Sequence, residues 1–187
     1  MTMMQLLNLI GSPGCGKTSI LEYTARECEG RFAVVVGDVK TALDAERIED
    51  SGIIAAPIET GGTCHQTAEM VRKAADSLEL DEIDYLFVEN VGNLVCPSTF
   101  DLGEHQKVAV VSIPEGDDKV RKYPSLFSRA ESTFINKIDV LDAFPGYDVG
   151  RVKEDLRGLK PDMSIFETSA ETGEGMDEWF AYLRALG

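Results

Sequence analysis

The sequence predicts an α/β fold, with a doubly wound, mostly parallel sheet of about seven strands and helices on both faces. Apolar runs typical of strands alternate with amphipathic runs typical of helices along the whole chain. Parallel neighbouring strands need crossover connections, so this alternation predicts a parallel sheet. The predicted strands are 6–10, 32–36, 54–58, 85–89, 108–113, 132–135 and 164–168. The main predicted helices are 17–28, 65–78, 149–159 and 175–186.

Length and composition predict one domain, residues 1–187, with 43% hydrophobic residues. The net charge of −15, from 33 acidic and 18 basic residues, argues against nucleic acid or an anionic membrane as a partner. The longest apolar runs, such as 33–36, are too short to span a bilayer, and no leader pattern opens the chain. The expected location is therefore cytoplasmic, where the four cysteines should be reduced.

Between the first predicted strand and the first predicted helix lies GSPGCGKT, residues 11–18, which matches the phosphate-binding P-loop pattern at every fixed position. Glycines let successive backbone N–H groups point inward, and the following helix directs its positive end at the same place. This context favours a P-loop nucleotide hydrolase over a glycine-rich turn that binds nothing. The predicted contacts come from Gly11, Ser12, Gly14, Cys15, Gly16, Lys17, Thr18 and Ser19.

Within this motif, Lys17 is predicted to reach the β- and γ-phosphates and Thr18 to bind Mg²⁺. An apolar strand that ends in an acid is the usual partner of a P-loop, which makes Glu89 a candidate for holding Mg²⁺ or its water. Gly92, in the loop that follows, can contact the γ-phosphate through its N–H.

Two acidic residues after the second strand, Asp38 and Asp44, are candidates for contacting Mg²⁺ through water or for orienting an attacking water. The alternative is that Asp44 caps a helix or pairs with Lys40 or Arg47. The sequence leaves both interpretations open.

Soft metal ligands occur in two further loops. Cys64 and His65 are adjacent, and Cys96 follows the fourth strand. Thiolate and imidazole are good ligands for Zn²⁺ and Ni²⁺, and three ligands from one chain leave a tetrahedral ion one short. The alternative is that Cys64 is a small core residue and His65 begins a helix.

The segment NKID, after the sixth predicted strand, predicts a preference for guanine over adenine nucleotides. The Asp139 carboxylate can accept two hydrogen bonds from guanine, whereas adenine would leave it unpaired. Asn136 can meet the other edge of the base, the stem of Lys137 can cover its face, and a backbone N–H at Ser169 or Ala170 can reach O6. A four-residue motif also arises by chance as a turn, but the P-loop upstream strengthens the interpretation. The charged stretch 115–124 predicts an exposed loop.

Together these motifs resemble the HypB family of hydrogenase nickel-insertion GTPases, P-loop proteins of the dimerising SIMIBI class. The resemblance runs through residues 11–18, 37–48, 64–65, 89–102, 115–124, 136–139 and 169–173. Its most specific parts are the run ENVGNLVCP and the Cys-His pair. The related UreG family is similar in plan but fits this run less well.

The resemblance implies a slow GTPase that forms a GTP-dependent homodimer. The metal site, for Ni²⁺ or Zn²⁺, would lie at the dimer interface on Cys64, His65 and Cys96, and Lys119 would lie near the partner's nucleotide. The implied clients are nickel-enzyme maturation factors and an apo-enzyme, with the hydrogenase large subunit expected. One departure is Cys15, where the family has a small residue such as serine. Its thiol is either a redox liability near the phosphates or a small filler.

Two other functions stay open from the sequence. One is a nickel- or zinc-binding storage or sensor protein with a vestigial nucleotide site, whose metal binding would be indifferent to GTP. The other is a GTPase of the same class that serves another metal cofactor, as in urease maturation, with Cys64 and Cys96 structural.

Overall fold

Seven short apolar segments form one parallel sheet in the computed structural model, which describes residues 4–37, 53–58, 63 and 65–187. The strands are β1 (Gln5–Gly11), β2 (Phe32–Gly37), β3 (Ile54–Ile58), β4 (Tyr85–Glu89), β5 (Gln106–Ser112), β6 (Ser132–Asn136) and β7 (Ser164–Thr168). Their spatial order is β3-β2-β4-β1-β5-β6-β7, and every pairing is parallel. The predicted fold class is confirmed.

The strand β1 lies at the centre of the sheet, between β4 and β5. The chain runs towards β2 and β3 on one side of β1 and towards β6 and β7 on the other. In a doubly wound sheet the ligand crevice opens at such a reversal point, outside the carboxyl ends of the strands. The predicted P-loop begins at the carboxyl end of this strand.

Helices cover both faces of the sheet. In the described residues they are α1 (Lys17–Glu27), α2 (Ala68–Ala75), α3 (Cys96–Thr99), α4 (Lys119–Lys122), α5 (Pro124–Phe127), α6 (Val149–Leu159) and α7 (Met176–Leu186). Successive strand residues point to opposite faces. Leu9 accordingly packs in one core with α1 and α7, while Ile10 packs in another with α4, α5 and α6. A third core joins α2 to β2 and β4.

Trp179 occupies the centre of the first core, where Phe87, Phe134 and Phe166 surround its indole ring. Its Nε1 donates a hydrogen bond to Thr24 Oγ1 at 3.0 Å, which joins α7 to α1. Because buried aromatic pairs add about 0.5–1.5 kcal/mol each beyond their area, this cluster fixes both helices on the sheet. No helix among the described residues combines the length and the apolar character needed to cross a membrane.

Two local predictions were wrong, and one short helix was missed. The helix expected at 65–78 is α2, which begins at Ala68 because the Thr67 side chain caps it by accepting from the Met70 N–H. The short helix α3 was not predicted. The stretch 115–124 is not an exposed loop throughout, since α4 inserts the fully buried Val120 into the second core.

Candidate nucleotide and metal site

The P-loop connects β1 to α1 at the reversal point of the sheet. Gly16 caps α1 in the left-handed region at φ 103°, and Gly14 has φ 76°. A Cβ at Gly16 would lie 2.2 Å from Asn136 Nδ2, so both the backbone angle and the space there require glycine. The loop is therefore shaped by contact with the end of β6 as well as by its own sequence.

The side chain of Lys17 is buried at the mouth of this loop. Its Nζ donates to the carbonyl oxygens of Gly11 and Ser12, at 3.3 Å each. The ammonium group is therefore held beside the N-terminus of α1, where the helix dipole and backbone N–H groups also favour an anion.

Glu89 lies opposite Thr18, at the carboxyl end of β4. Thr18 Oγ1 donates to Glu89 Oε1 at 2.7 Å. A hydroxyl and a carboxylate are the hard oxygen ligands that Mg²⁺ prefers, so this pair fits the predicted magnesium site. The contact joins residues 71 positions apart, which the sequence motif alone does not establish.

Immediately after Glu89, the chain passes close to the P-loop. A Cβ on Gly92 would lie 2.7 Å from Pro13 Cγ. The buried Asn90 donates to Asn8 Oδ1 at 3.0 Å, and its own Oδ1 accepts from the Val91 N–H at 2.9 Å. Gly92 is therefore placed beside the phosphate-binding loop, and no larger residue fits there without movement. Its contact with the γ-phosphate stays a prediction.

The buried side chain of Asn136 joins two loops. Its Nδ2 donates to the Cys15 carbonyl oxygen at 3.0 Å, and its Oδ1 accepts from the Ala170 N–H at 3.2 Å. The expected contact of Asn136 with the base edge stays a prediction, because in this structure its amide holds the P-loop to the loop after β7. The Ala170 N–H expected to reach O6 likewise donates to Asn136.

Lys137 is the one described non-glycine residue with a positive φ, at 64°. Such a conformation costs on the order of 1 kcal/mol, and it directs the side chain over the P-loop. Lys137 Nζ donates to the Gly14 carbonyl oxygen at 2.7 Å. The expected role of its stem in covering the face of a base stays a prediction.

A cavity of about 190 Å³ opens between these loops. The exposed Asp139 lines it together with Gly16, Ser19, Asn136, Lys137, Ala170 and Glu171. Ser169 closes the neighbouring turn, where its Oγ accepts from the Thr172 N–H at 3.1 Å. The structure thus gathers the NKID residues and the loop after β7 around one opening beside the P-loop.

Cys15 is fully buried in the first core, and a Cβ on Gly11 would meet its Sγ at 2.6 Å. Burial raises the pKa of the Cys15 thiol to about 11, although the nearby Lys17 charge acts in the opposite direction. The thiol is therefore protonated at neutral pH, and the structure favours a small filler over a redox-sensitive group.

His65, one of the candidate soft ligands, contacts the residue that follows α3. The His65 imidazole stacks on Phe100, with ring centroids 3.7 Å apart and planes at 8°. Phe100 directly follows the helix that Cys96 begins, and a four-residue helix is only about 6 Å long. The Asn93 side chain caps this helix by accepting from the Val95 and Cys96 N–H groups at 2.7 and 3.3 Å. His65 and the half-buried Cys96 therefore belong to one loop cluster.

Three predicted residues, Asp38, Asp44 and Cys64, lie outside the described residues. Among the residues that are described, no group of three His, Cys, Asp or Glu side chains is placed to hold a metal ion. Lys119 begins α4 and is half-buried. Its expected reach to a partner's nucleotide stays a prediction.

Three residues of this region were not singled out from the sequence: Gln66, Asn93 and Phe100. Gln66 follows His65 directly, and its buried side chain donates to the Glu89 backbone oxygen at 3.2 Å. The one available signal was the Asn93–Pro97 spacing, because asparagine before a proline in the first turn is typical of a helix start. No local signal marks the stacking of Phe100.

Comparison with known families agrees with this arrangement. The profile of the CobW/HypB/UreG nucleotide-binding domain matches residues 5–167. The chain belongs to this family. It is 45% identical over 180 residues to the hydrogenase maturation factor HypB of Escherichia coli K12, covering 95% of this chain and 62% of the relative. It is 41% identical over 184 residues to the hydrogenase/urease maturation factor HypB of Helicobacter pylori J99, covering 96% and 76%.

Among solved structures, the crystal structure of HypB from Helicobacter pylori in complex with nickel superposes on this chain with a TM-score of 0.93. The two are 41% identical, and the match covers 97% of this chain and 86% of that one. The predicted resemblance to HypB and the predicted fold are thus confirmed. The chain spans less than two thirds of the length of the E. coli HypB protein.

Proposed function

We propose that this protein is a GTP-hydrolysing switch that delivers nickel during maturation of a nickel enzyme, with [NiFe]-hydrogenase as the expected client. The observation that carries the proposal is the course of one loop, residues 89–100. At its start Glu89 accepts from Thr18 of the P-loop, and at its end Phe100 stacks on His65. A single loop therefore contacts both the candidate phosphate site and the candidate metal site.

The nucleotide chemistry follows from the P-loop residues. Lys17 and the backbone N–H groups at the start of α1 stabilise negative charge on the transferring phosphoryl group. Thr18 and Glu89 would hold Mg²⁺, with Asp38 or Asp44 as further candidates. Bound Mg²⁺ supplies charge neutralisation between the β- and γ-phosphate oxygens.

Guanine selection is assigned to Asp139. Its carboxylate lines the cavity beside the P-loop and accepts from two donors that only guanine presents together. Lys137 crosses the P-loop next to it and offers its apolar stem to the base. Asn136 acts by holding Cys15 and Ala170 at fixed positions around the opening.

The nickel chemistry is assigned to Cys64, His65 and Cys96. Thiolate and neutral imidazole suit Ni²⁺ and Zn²⁺ alike. Three ligands in one chain are completed by a second copy, and the exposed Val95 and Phe100 on either side of α3 offer that copy an apolar contact. GTP would favour the homodimer, and hydrolysis would release it together with the metal.

The relatives support this assignment. The similar H. pylori structure is a complex with nickel, and the similar E. coli protein is named as a hydrogenase maturation factor. The H. pylori relative is named for hydrogenase and urease, which favours urease maturation as the second candidate role. The expected cytoplasmic location, the homodimer and the contact with other maturation factors stay predictions.

The test is nickel release on hydrolysis. The protein is loaded with Ni²⁺ and GTP, and released metal is followed with a colorimetric chelator while phosphate release is measured. We expect nickel release to follow GTP hydrolysis and Cys96→Ala to remove nickel binding. Cys28→Ala, at a buried cysteine near the end of α1, is the matched control. Nickel release at the same rate with GDP would contradict the proposal and favour a storage protein.

A further inference from the structure

Gln66 is a buried polar residue that neither the nucleotide motif nor the metal ligands account for. It lies between His65 and Thr67, the residue that caps α2. Its side chain is fully buried, and its Nε2 donates to the backbone oxygen of Glu89 at 3.2 Å. The amide thus connects the residue after the candidate nickel ligand to the strand end that carries the candidate magnesium ligand.

The same amide lies against the end of β2. A Cβ on Gly37 would lie 1.5 Å from Gln66 Nε2, so any side chain at position 37 would displace this amide. Because β2 and β4 are neighbours, the Gln66 amide sits over the carboxyl ends of two adjacent strands. Ligands of doubly wound sheets bind outside this edge of the sheet.

The second polar atom of the amide, Gln66 Oε1, is buried and has no hydrogen-bond partner among the residues that the structure describes. Leaving a buried polar atom unpaired is destabilising, and an apolar side chain of the same length would avoid that cost. Packing alone therefore does not explain why a glutamine occupies position 66.

We propose that Gln66 is a positioning residue that couples the nucleotide site to His65. The proposal rests on the proposed function, since it gives the route by which the switch reaches the metal. Thr18 Oγ1 binds the Glu89 side chain at 2.7 Å, and the Glu89 backbone oxygen accepts from Gln66, whose backbone continues directly into His65. A single hydrogen bond thus joins the end of β4 to the residue next to His65.

A second series of contacts also joins the P-loop to His65. Gly92 contacts Pro13 of the P-loop, Asn93 caps the helix that begins at Cys96, and Phe100 at its end stacks on His65. His65 is therefore held from two directions, and both directions lead back to the P-loop. A change at Thr18 or Pro13 on nucleotide exchange alters the geometry that Gln66 and Phe100 impose on the imidazole.

Coupling requires that the two nucleotide states differ in a contact. Glu89 supplies that contact, because its carboxylate lies where Mg²⁺ and the phosphates bind while its backbone holds Gln66. Coupling free energies between sites correspond to affinity changes of about 5- to 150-fold. Loss of the Gln66 donor should therefore remove a measurable nucleotide dependence without removing the ligands themselves.

The variant is Gln66→Met, which keeps the length and approximate volume of the side chain but loses Nε2. Gln106→Met is the matched control. Gln106 accepts a hydrogen bond from Tyr182 at 2.6 Å and lies at the opposite end of the sheet from the P-loop. Nickel affinity is titrated for each protein with Mg²⁺ and either GDP or a non-hydrolysable GTP analogue.

A second readout needs no metal. The chain has two histidines, so its imidazole NMR spectrum contains two sets of signals. His105 accepts from the Leu6 N–H through Nδ1, away from the site, and provides an internal reference. In the wild type and in Gln106→Met, we expect the His65 signal to differ between the two nucleotide states and the nickel affinity to change about fivefold or more. In Gln66→Met, both differences should fall to near zero.

The outcomes separate the two proposals. A wild-type His65 signal that is identical in both nucleotide states overturns the role of Gln66. So does a Gln66→Met protein whose nickel affinity and His65 signal still respond as in the wild type. A wild-type protein whose His65 signal moves but whose nickel affinity does not overturns the nickel switch alone. The Gln66 coupling then stands if Gln66→Met abolishes that movement.

Discussion

The carboxyl edge of the sheet has two sides that are built differently. Beyond β6 and β7, the side expected to take the base is held together within the chain, with Asn136 buried between the P-loop and the loop after β7. Beyond β4, the side with Cys96 ends on exposed apolar side chains, with Val95 57% and Phe100 39% exposed. The first side is joined by hydrogen bonds within the chain, whereas the second presents apolar surface that a partner could cover.

Under the proposed function, this difference would let one small domain serve as a switch. The base site, which Asn136 holds together within the chain, would keep the nucleotide bound whether or not the γ-phosphate is present. The loop from Glu89 to Phe100 contacts the P-loop at one end and an open surface at the other. Changes at the phosphate are therefore expected to appear on the outward-facing side.

The largest expected effect comes from breaking the phosphate site. Lys17→Ala should lower kcat/KM for GTP hydrolysis by at least about 100-fold, because the cation that stabilises the transferring phosphoryl charge is lost. Nickel binding without nucleotide should be unchanged, since among the described residues the Lys17 Nζ donates to Gly11 and Ser12 of its own loop. Phosphate release and nickel titration measure the two effects.

The control for that change is Lys160→Ala, which removes a surface contact of 3.2 Å with Glu131. Its hydrolysis rate should match the wild type. Hydrolysis by Lys17→Ala at the wild-type rate would show that catalysis does not use the P-loop.

The next prediction tests the side of the sheet that is expected to bind the nucleotide base. Asp139→Asn should weaken GTP binding about 100-fold or more, because the carboxylate that accepts from guanine is gone. Binding of xanthosine triphosphate should improve, since its C2 carbonyl accepts from the new amide N–H. Competition binding measures both affinities.

Asp142→Asn is the matched control, because Asp142 is exposed and lies with Asp139 in the 3-10 helix Ile138–Ala143. An unchanged preference for GTP in Asp139→Asn would remove Asp139 from the base site.

A smaller effect tests the junction between the two sides. Gly92→Ala places a methyl group 2.7 Å from Pro13 Cγ and should cost about 1–3 kcal/mol of unfolding free energy, with weaker GTP binding. Gly146→Ala, at a position with no atom within 4 Å of the added Cβ, should be near neutral. Urea denaturation of both variants checks this. Equal stability of the two would mean that the loop does not depend on its contact with Pro13.

The last effect concerns Cys15 and appears only above about pH 9, so it is the smallest at neutral pH. Burial raises the pKa of this thiol from 9.0 to about 11, so ionisation is disfavoured in the folded state. Its contribution to stability is complete below about pH 9 and is lost as the pH rises towards 11, up to about 3 kcal/mol in all. The stability difference between the wild type and Cys15→Ala should therefore shrink between pH 9 and 11. A constant difference would contradict this, as would rapid alkylation of Cys15 in the folded protein at pH 8.

The sequence predicted the fold because its signals are local and agree with one another. The strands 54–58, 85–89 and 164–168 were predicted with the bounds that the structure shows. The P-loop was found because its glycines and Lys17 have fixed spacing. The start of α2 was misplaced by three residues, because the Thr67 cap decides it and not the apolar period.

The long-range hydrogen bonds of the site could not be predicted in the same way. Asn136 binds Cys15 across 121 residues, and Gln66 binds Glu89 across 23, and neither contact leaves a periodic trace in the sequence. Composition also does not show that the Asn136 amide hydrogen-bonds to both the P-loop and the loop after β7. Such contacts follow from which strands are neighbours, which the topology supplies and the motif does not.

The most direct test of the central claim is Ni²⁺ titration of the wild-type protein under reducing conditions. It is performed with Mg²⁺ and either GDP or a non-hydrolysable GTP analogue, and light scattering on the same samples gives the oligomeric state. We expect a dimer in the GTP-like state and a nickel affinity that differs between the two nucleotides by about fivefold or more. Identical nickel binding and the same oligomeric state with both nucleotides would contradict the switch.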